Sequence, residues 1–209
     1  MQLTPTHEEL AQRYAADIPE LVHSTGPISY DYHFDRRELF DEVVTRSWLA
    51  PGTLFGADRA TLALDGDELL GIEIGFHGPE FRERIQAMAP LWGGAIEEGV
   101  TTEEEIGGVL ERSDAASWLN PVIQPDLYYI HAIAVKPEHR GKKVGVALME
   151  NAMQQGREAG YKKLQLDVLS DNPAVQFYYS QGLELLVESR APKPEAFGVP
   201  PEYRMGMKL

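Results

Sequence analysis

The sequence has 209 residues, 33 acidic and 19 basic, for a formal net charge of −14, and 43% of it is hydrophobic. That size fits one globular domain (residues 1–209) with a sizeable core, while the acidic balance opposes the clustered Lys and Arg that nucleic acid or an anionic membrane surface requires. The absence of cysteine excludes disulfides, thiolate metal sites and thiol nucleophiles, and no apolar run approaches the ~20 residues that span a bilayer.

The opening Met1-Gln2-Leu3-Thr4-Pro5 has neither basic nor apolar leader character, so a cytoplasmic location is expected. Over residues 6–48, Leu10, Tyr14, Ile18 and Leu21, then Leu39, Phe40, Val43 and Val44, recur at helical spacing and predict two helical pieces. Between them lies an aromatic loop, Tyr30-Asp31-Tyr32-His33-Phe34, followed by Asp35, a predicted N-cap with Glu38 at capping-box spacing. Residues 59–64 and 69–76 are β-prone runs joined through Asp65-Gly66, whose access to positive φ favours a hairpin. Residues 79–126 read as a helical insertion. In it Phe81, Ile85, Met88 and Leu91 recur helically, Gly93-Gly94 interrupts, and Thr102 opens an acidic helix through Leu110. It carries nine acids before Asp126 against three Arg, so most of it is expected to be solvated.

Residues 127–135 form an apolar run of nine, long enough for a central strand. A polar turn follows, then a helix marked by Val144, Ala147, Leu148 and Ala152 that ends at Gly160, then a strand over residues 163–169. Strand, turn, helix and strand predict a βαβ unit with a parallel pair. Asp171 is the predicted cap of a short helix stopped by Gly182, residues 183–189 are a strand, residues 191–202 a Pro-rich loop, and residues 203–209 a last strand.

The chemistry concentrates in the turn Glu138-His139-Arg140-Gly141-Lys142-Lys143-Val144-Gly145-Val146-Ala147. Three cations and two glycines precede a helix N-terminus, where unpaired N–H groups and the helix dipole attract an anion. The spacing is neither a Walker A loop nor a dinucleotide fingerprint, and alone it supports phosphate binding and an ordinary loop equally. The surrounding residues 136–163 hold seven basic and three acidic side chains, a positive segment in an acidic chain.

Residues 133–149 resemble motif A, Q/R-x-x-G-x-G/A, of the GCN5-related N-acetyltransferase (GNAT) superfamily. Residues 171–183, with Ala174, Phe177, Tyr178 and Gly182, resemble its motif B, N-x-x-A-x-x-x-Y-x-x-x-G-F. The clear resemblance covers residues 127–190. Lys143 stands at the first motif glycine, Asp171 at the asparagine and Leu183 at the phenylalanine. The resemblance implies an α/β GNAT fold: a mixed, mostly antiparallel sheet with a central parallel pair, flanking helices, and the insertion ahead of the cofactor-binding strand.

It further implies that backbone N–H groups of Arg140, Gly141, Lys142, Lys143, Val144, Gly145 and Val146 cradle the pyrophosphate of acetyl-CoA. Ile133, Ala134, Val135, Asp171 and Ala174 would flank its pantetheine arm. Acetyl transfer to an amine would be direct, Tyr178 would be the acid toward sulfur, and a backbone N–H near Ala134 or Val135 would stabilise the oxyanion. His131 resembles the second of two strand histidines in arylalkylamine acetyltransferases and is the expected base, with Tyr129 in place of the first. Strand alternation predicts Tyr129, His131 and Ile133 on one face. The competing roles are a core histidine and a core aromatic. Tyr30, Tyr32, His33 and Tyr129 are candidate acceptor contacts, or staples between helices and sheet. The histidines are too scattered for a metal site. Lys143 also sustains an alternative, a degenerate GNAT domain that binds acyl-CoA as a regulatory or structural module. Partners are then acetyl-CoA and an amine, with a homodimer allowed.

Overall fold

The computed structural model describes residues 1–119 and 122–209; Asn120 and Pro121 of the expected insertion lie outside the described residues. A seven-stranded mixed sheet organises the chain, in the order β1-β2-β3-β4-β5-β7-β6. Strands β1 (Gln2–Pro5), β2 (Ala60–Asp65) and β3 (Glu68–His77) are antiparallel neighbours, and Gly66 turns the β2–β3 hairpin at φ 59°. Strand β4 (Leu127–Val135) lies antiparallel to β3 and parallel to β5 (Lys163–Leu169), as the βαβ reading expects. Strand β7 (Glu202–Lys208) inserts antiparallel between β5 and β6 (Glu184–Ser189).

Four helices, α1 (Glu8–Tyr14), α2 (Ile18–His23), α3 (Pro27–His33) and α4 (Arg37–Leu49), replace the two expected at the start. The aromatic stretch is itself helix α3, because Pro27 at its first turn presets helical φ. Asp35 does not cap α4: Arg36 occupies that position without a side-chain cap, and Asp35 pairs with Arg112 at 3.0 Å. In the insertion, α5 (Glu80–Gln86), α6 (Ala89–Glu97) and α7 (Glu103–Ala116) follow one another. The break falls at Ala87-Met88, and α6 runs through Gly93-Gly94, started by Pro90. Thr102 does open α7, through a capping box with Glu105, and the helix continues to Ala116 rather than Leu110. The insertion's acids grip the rest of the chain, Glu105 holding Arg36, Glu98 holding Arg46 and Glu80 holding Arg59, while Asp58 outside it holds the insertion's buried Arg84.

Helix α8 (Val144–Glu158) joins β4 to β5; α9 (Ala174–Ser180) precedes β6, and α10 (Pro192–Phe197) lies in the segment read as loop. One face of the sheet packs Leu62, Ile72, Ile74 and Phe76 against α1, α2 and α4 through Ile18, Val22, Phe40 and Trp48. The opposite face packs Tyr128, Ile130, Leu164 and Leu166 against Met149, Ala152 and Met153 of α8 and Val175 and Tyr178 of α9. Beneath α8 lies a buried polar group: Glu73 accepts from Tyr128 Oη at 3.2 Å, and Gln155 donates to Thr61 at 3.0 Å. No helix among the described residues is long and apolar enough to cross a membrane.

Candidate active site

The site arises where the parallel pair comes apart. Residues 127–130 of β4 pair with 163–166 of β5, and beyond Ile130 and Leu166 the strands diverge although both continue. On its other side β4 carries a bulge: Ile74 opposes Ala132 and Gly75 opposes Ile130, leaving His131 as the extra residue. The bulge resets the alternation. Tyr129, Ala132 and Ala134 join the core beneath α1, α2 and α4, and His131 lies on that side among Phe55, Phe76, Phe81 and Tyr129. Ile133 and Val135 turn to the α8 face. The expected sharing of one face by Tyr129, His131 and Ile133 therefore fails at Ile133, because an extra residue shifts a period-2 pattern by one.

Two cavities meet at this splay. The first, about 500 Å³, lies between the sheet, α3 and the insertion; the second, about 810 Å³, lies between β4, the 139–146 turn and α9. Ile133, Leu169 and Tyr178 line both.

In the second cavity the structure gathers Ile133, Ala134, Val135, Arg140, Gly141, Lys143, Val144, Gly145, Val146, Asp171 and Ala174. Lys142 alone of the expected set does not line it, and its Nζ lies 3.5 Å from His139 Nδ1. Helix α8 accepts its first bond when Ala147 N–H meets Lys143 O at 3.1 Å, so the preceding N–H groups point out of the first turn. Lys143 adopts φ 65° and ψ 12°, the left-handed geometry that a glycine would supply, and Gly141 has φ 75°. The turn thus keeps its shape and adds a cation to its rim. This open row of N–H groups beside Arg140 and Lys143 fits a pyrophosphate and hence the acyl donor implied by motif A.

Lys136 N–H is donated to Leu70 O at 2.9 Å and Val135 O accepts from Arg140 Nε at 3.1 Å. Antiparallel geometry puts a residue's N–H and C=O on one side, so Ala134 N–H faces β3 and Val135 N–H faces the splay. Of the two expected oxyanion donors, Val135 has the free amide.

At the head of α9, Asp171 makes no cap. Asn172 does: its Oδ1 accepts from Ala174 N–H at 2.9 Å while its Nδ2 donates to Thr25 O at 2.9 Å, tying α9 to the loop before α3. The Asn172-Pro173 dipeptide was the available signal.

The first cavity contains His131, Tyr129, Tyr30, His33 and Tyr178. Tyr32 points elsewhere, packed with Leu119, Leu169, Ala191 and Val199 and edge-on to Phe197, so of the four candidate acceptor contacts it is a staple. His33 Nδ1 donates to Ser29 O, 2.6 Å away, and burial holds its pKa down. Burial, with the Arg84 charge adding to it, lowers His131 to about 4, and its Nε2 has no partner among the described residues. The imidazole is therefore neutral at physiological pH, with a buried nitrogen left unpaired among the described residues. Burial likewise raises Tyr178 well above an ordinary phenol, so its proton stays in place.

Two acids that sequence reasoning missed lie in the same cavity. Asp167 accepts from Arg204 Nε at 2.9 Å and Nη2 at 2.7 Å and from Tyr129 Oη at 2.9 Å, with side-chain exposures of 3% for Asp167 and 5% for Arg204. Glu202, on the same face of β7 as Arg204, is the second. Their signal was the charges alternating with apolar residues in 163–169 and 202–208, each of which must be paired or functional once a strand is buried.

The sequence profile of the acetyltransferase (GNAT) family matches residues 34–183. No curated protein matches the sequence. An N-acetyltransferase from Staphylococcus aureus Mu50 superposes with TM-score 0.72 at 15% identity, covering 99% of this chain and 100% of its own. The PaiA N-acetyltransferase of Thermoplasma acidophilum, solved with coenzyme A, gives 0.56 at 15% identity over 100% and 98%. A polyamine N-acetyltransferase of Drosophila melanogaster, which forms N-acetylagmatine, gives 0.60 at 14% identity over 100% and 99%.

Proposed function

Because the chain belongs to the GNAT acetyltransferase family, we propose that it transfers an acetyl group from acetyl-CoA to a primary amine, of a small molecule or a protein, by direct attack. The observation that carries this reading is the junction of two cavities at the β4–β5 splay, with Tyr178 in the wall of both. A donor held at the 139–146 turn and an acceptor entering under the insertion would meet there. Arg140 and Lys143 draw the donor's phosphates, and the exposed N–H groups of the α8 N-terminus bind them.

In this reading Val135 N–H stabilises the oxyanion. Tyr178 keeps its proton until sulfur leaves, then donates it. His131 presents a neutral Nε2 to the amine and takes a proton from it after attack, when bonding to the thioester carbon has made the nitrogen acidic. The alternative of a non-catalytic acyl-CoA module rests on Lys143; a lysine already in the glycine conformation keeps the turn fit for the donor in either reading, and turnover separates the two. Calorimetric titration with acetyl-CoA and a thiol-release assay over a panel of amines test the proposal. Micromolar-range binding and turnover are expected. Absence of binding refutes it, and binding without turnover on any amine returns the module.

A further inference from the structure

We infer that Glu202 receives the ammonium group of the acceptor and takes its first proton, and that the acceptor is a monocation with an apolar body. The inference rests on the acetyltransferase reading and names the substrate class of that site.

Of the two acids in the acceptor cavity, Asp167 is committed, its oxygens held by Arg204 and Tyr129. The Glu202 carboxyl makes no hydrogen bond to any described residue, although Glu202 lines the same cavity. Its surroundings explain its chemistry. Strand β5 supplies Asp167, β7 supplies Arg204, β4 supplies Tyr129 and His131, and α3 and α9 supply Tyr30 and Tyr178. The cation beside it, Arg204, is spent on Asp167, so the pair is close to neutral and Glu202 is left with burial and a nearby negative charge. Both raise its pKa, to about 8, against the pull of Arg204. A carboxyl of that strength lies much closer to an amine than an ordinary glutamate does, and proton exchange between them inside the cavity is correspondingly easier.

The rest of the cavity selects the body of the acceptor. Phe34, Leu54, Phe81, Met88, Trp92 and Leu110 form walls that hold no carboxylate for a second cation. A polyamine would bury a second ammonium there with no carboxylate to pair it, at a desolvation cost; an arylalkylamine would bury only apolar surface.

The protons and bonds balance as follows. Ionised Glu202 takes one proton from the bound ammonium, and the freed lone pair forms the C–N bond at the thioester carbon. The C–S bond breaks and sulfur takes its proton from Tyr178. The second N–H proton goes to His131 Nε2 and returns through cavity solvent to the Tyr178 phenolate. The proton on Glu202 leaves to solvent as the amide departs.

Thiol release with 2-phenylethylamine and with spermidine is compared for the parent, Glu202→Gln and Glu202→Asp, alongside acetyl-CoA titration of each. The inference expects the kcat/KM of Glu202→Gln for phenylethylamine to fall by about 100-fold or more, with acetyl-CoA affinity unchanged and partial recovery in Glu202→Asp. It also expects the parent's kcat/KM to rise through pH 8 or so and that limb to vanish in Glu202→Gln. Retention of parental kcat/KM or of the limb in Glu202→Gln overturns it, as does a preference of the parent for spermidine. Should Glu202→Gln lose acetyl-CoA binding as well, proton release on phenylethylamine binding by the parent decides. About one proton released per amine below pH 8 supports the inference, and none overturns it. Absence of thiol release by the parent with every amine refutes the acetyltransferase reading itself, a result distinct from every one above.

Discussion

Replacing Arg204 by Met tests the charge arrangement beneath the acceptor cavity. Arg204 and Asp167 are 5% and 3% exposed, share two hydrogen bonds of 2.9 and 2.7 Å, and Arg204 also donates to Val122 O at 3.1 Å. Removing the guanidinium leaves a buried carboxylate with Tyr129 as its remaining donor and a second acid, Glu202, close by. Loss of one partner of such a pair costs about 3–5 kcal/mol. In a domain of this size each kcal/mol moves the melting temperature by about 2–4 °C, so a fall of roughly 6 to 20 °C is expected by calorimetry. Adding Asp167→Asn removes the stranded charge and keeps an acceptor for Tyr129, so the double variant should be more stable than Arg204→Met alone, by ~1 kcal/mol or more. A single-variant loss below ~1 kcal/mol, the range of exposed pairs, or a double variant less stable than the single, would show that water reaches the pair and refute the reasoning.

His131 has a folded pKa of about 4 against an ordinary 6.5, so the unfolded chain binds its proton first on acidification. Its contribution is fully present above pH 6.5 and is lost as pH falls to about 4, up to ~3 kcal/mol, and urea melts of His131→Gln should lack that loss. Glu73 behaves oppositely: burial raises it to about 8 from 4.5, so the unfolded state gains by ionising between those values. Glu73→Gln should raise stability at pH 8 by up to ~4 kcal/mol and leave it little changed at pH 4, as read by melts at both values. Lys143→Gly relieves left-handed strain of about 1–2 kcal/mol but loosens the unfolded chain by ~0.4–1, for a net gain near 0.5 kcal/mol. A destabilised variant in thermal melts would contradict the φ of Lys143.

The parts of the site legible in sequence were those built from consecutive residues. The 139–146 turn and Tyr178 carry their information in local spacing, and eleven residues of the expected donor set line one cavity with Tyr178. The misplaced features depend on partners distant in sequence. The bulge at His131 exists because β3 and β4 differ by one residue in register, which neither strand reveals alone. Asp35 had a cap's spacing, but Arg112 competed for its carboxylate. Glycines 93 and 94 carry a helix because tertiary packing overrides propensity, with Leu91 and Trp92 set against Leu39 and Val43. Asp167, Glu202 and Arg204 converge from β5 and β7, strands whose adjacency the chain order hides.

That adjacency has a kinetic side. Strand β6 precedes β7 in sequence, yet its only neighbour in the sheet is β7, and its Leu185, Leu186 and Val187 are exposed. As the chain is made in order, β6 waits without a partner, and Asp167 without its guanidinium, until residues 202–208 arrive to fill the gap beside β5. An apolar strand next to an unclosed edge is an aggregation hazard at that stage. The flanking Glu184 and Glu188 act then as gatekeepers against pairing with another chain. Slow translation through residues 190–201 would lengthen that exposure, and the yield of soluble protein should follow the codons of this segment more than those of α8.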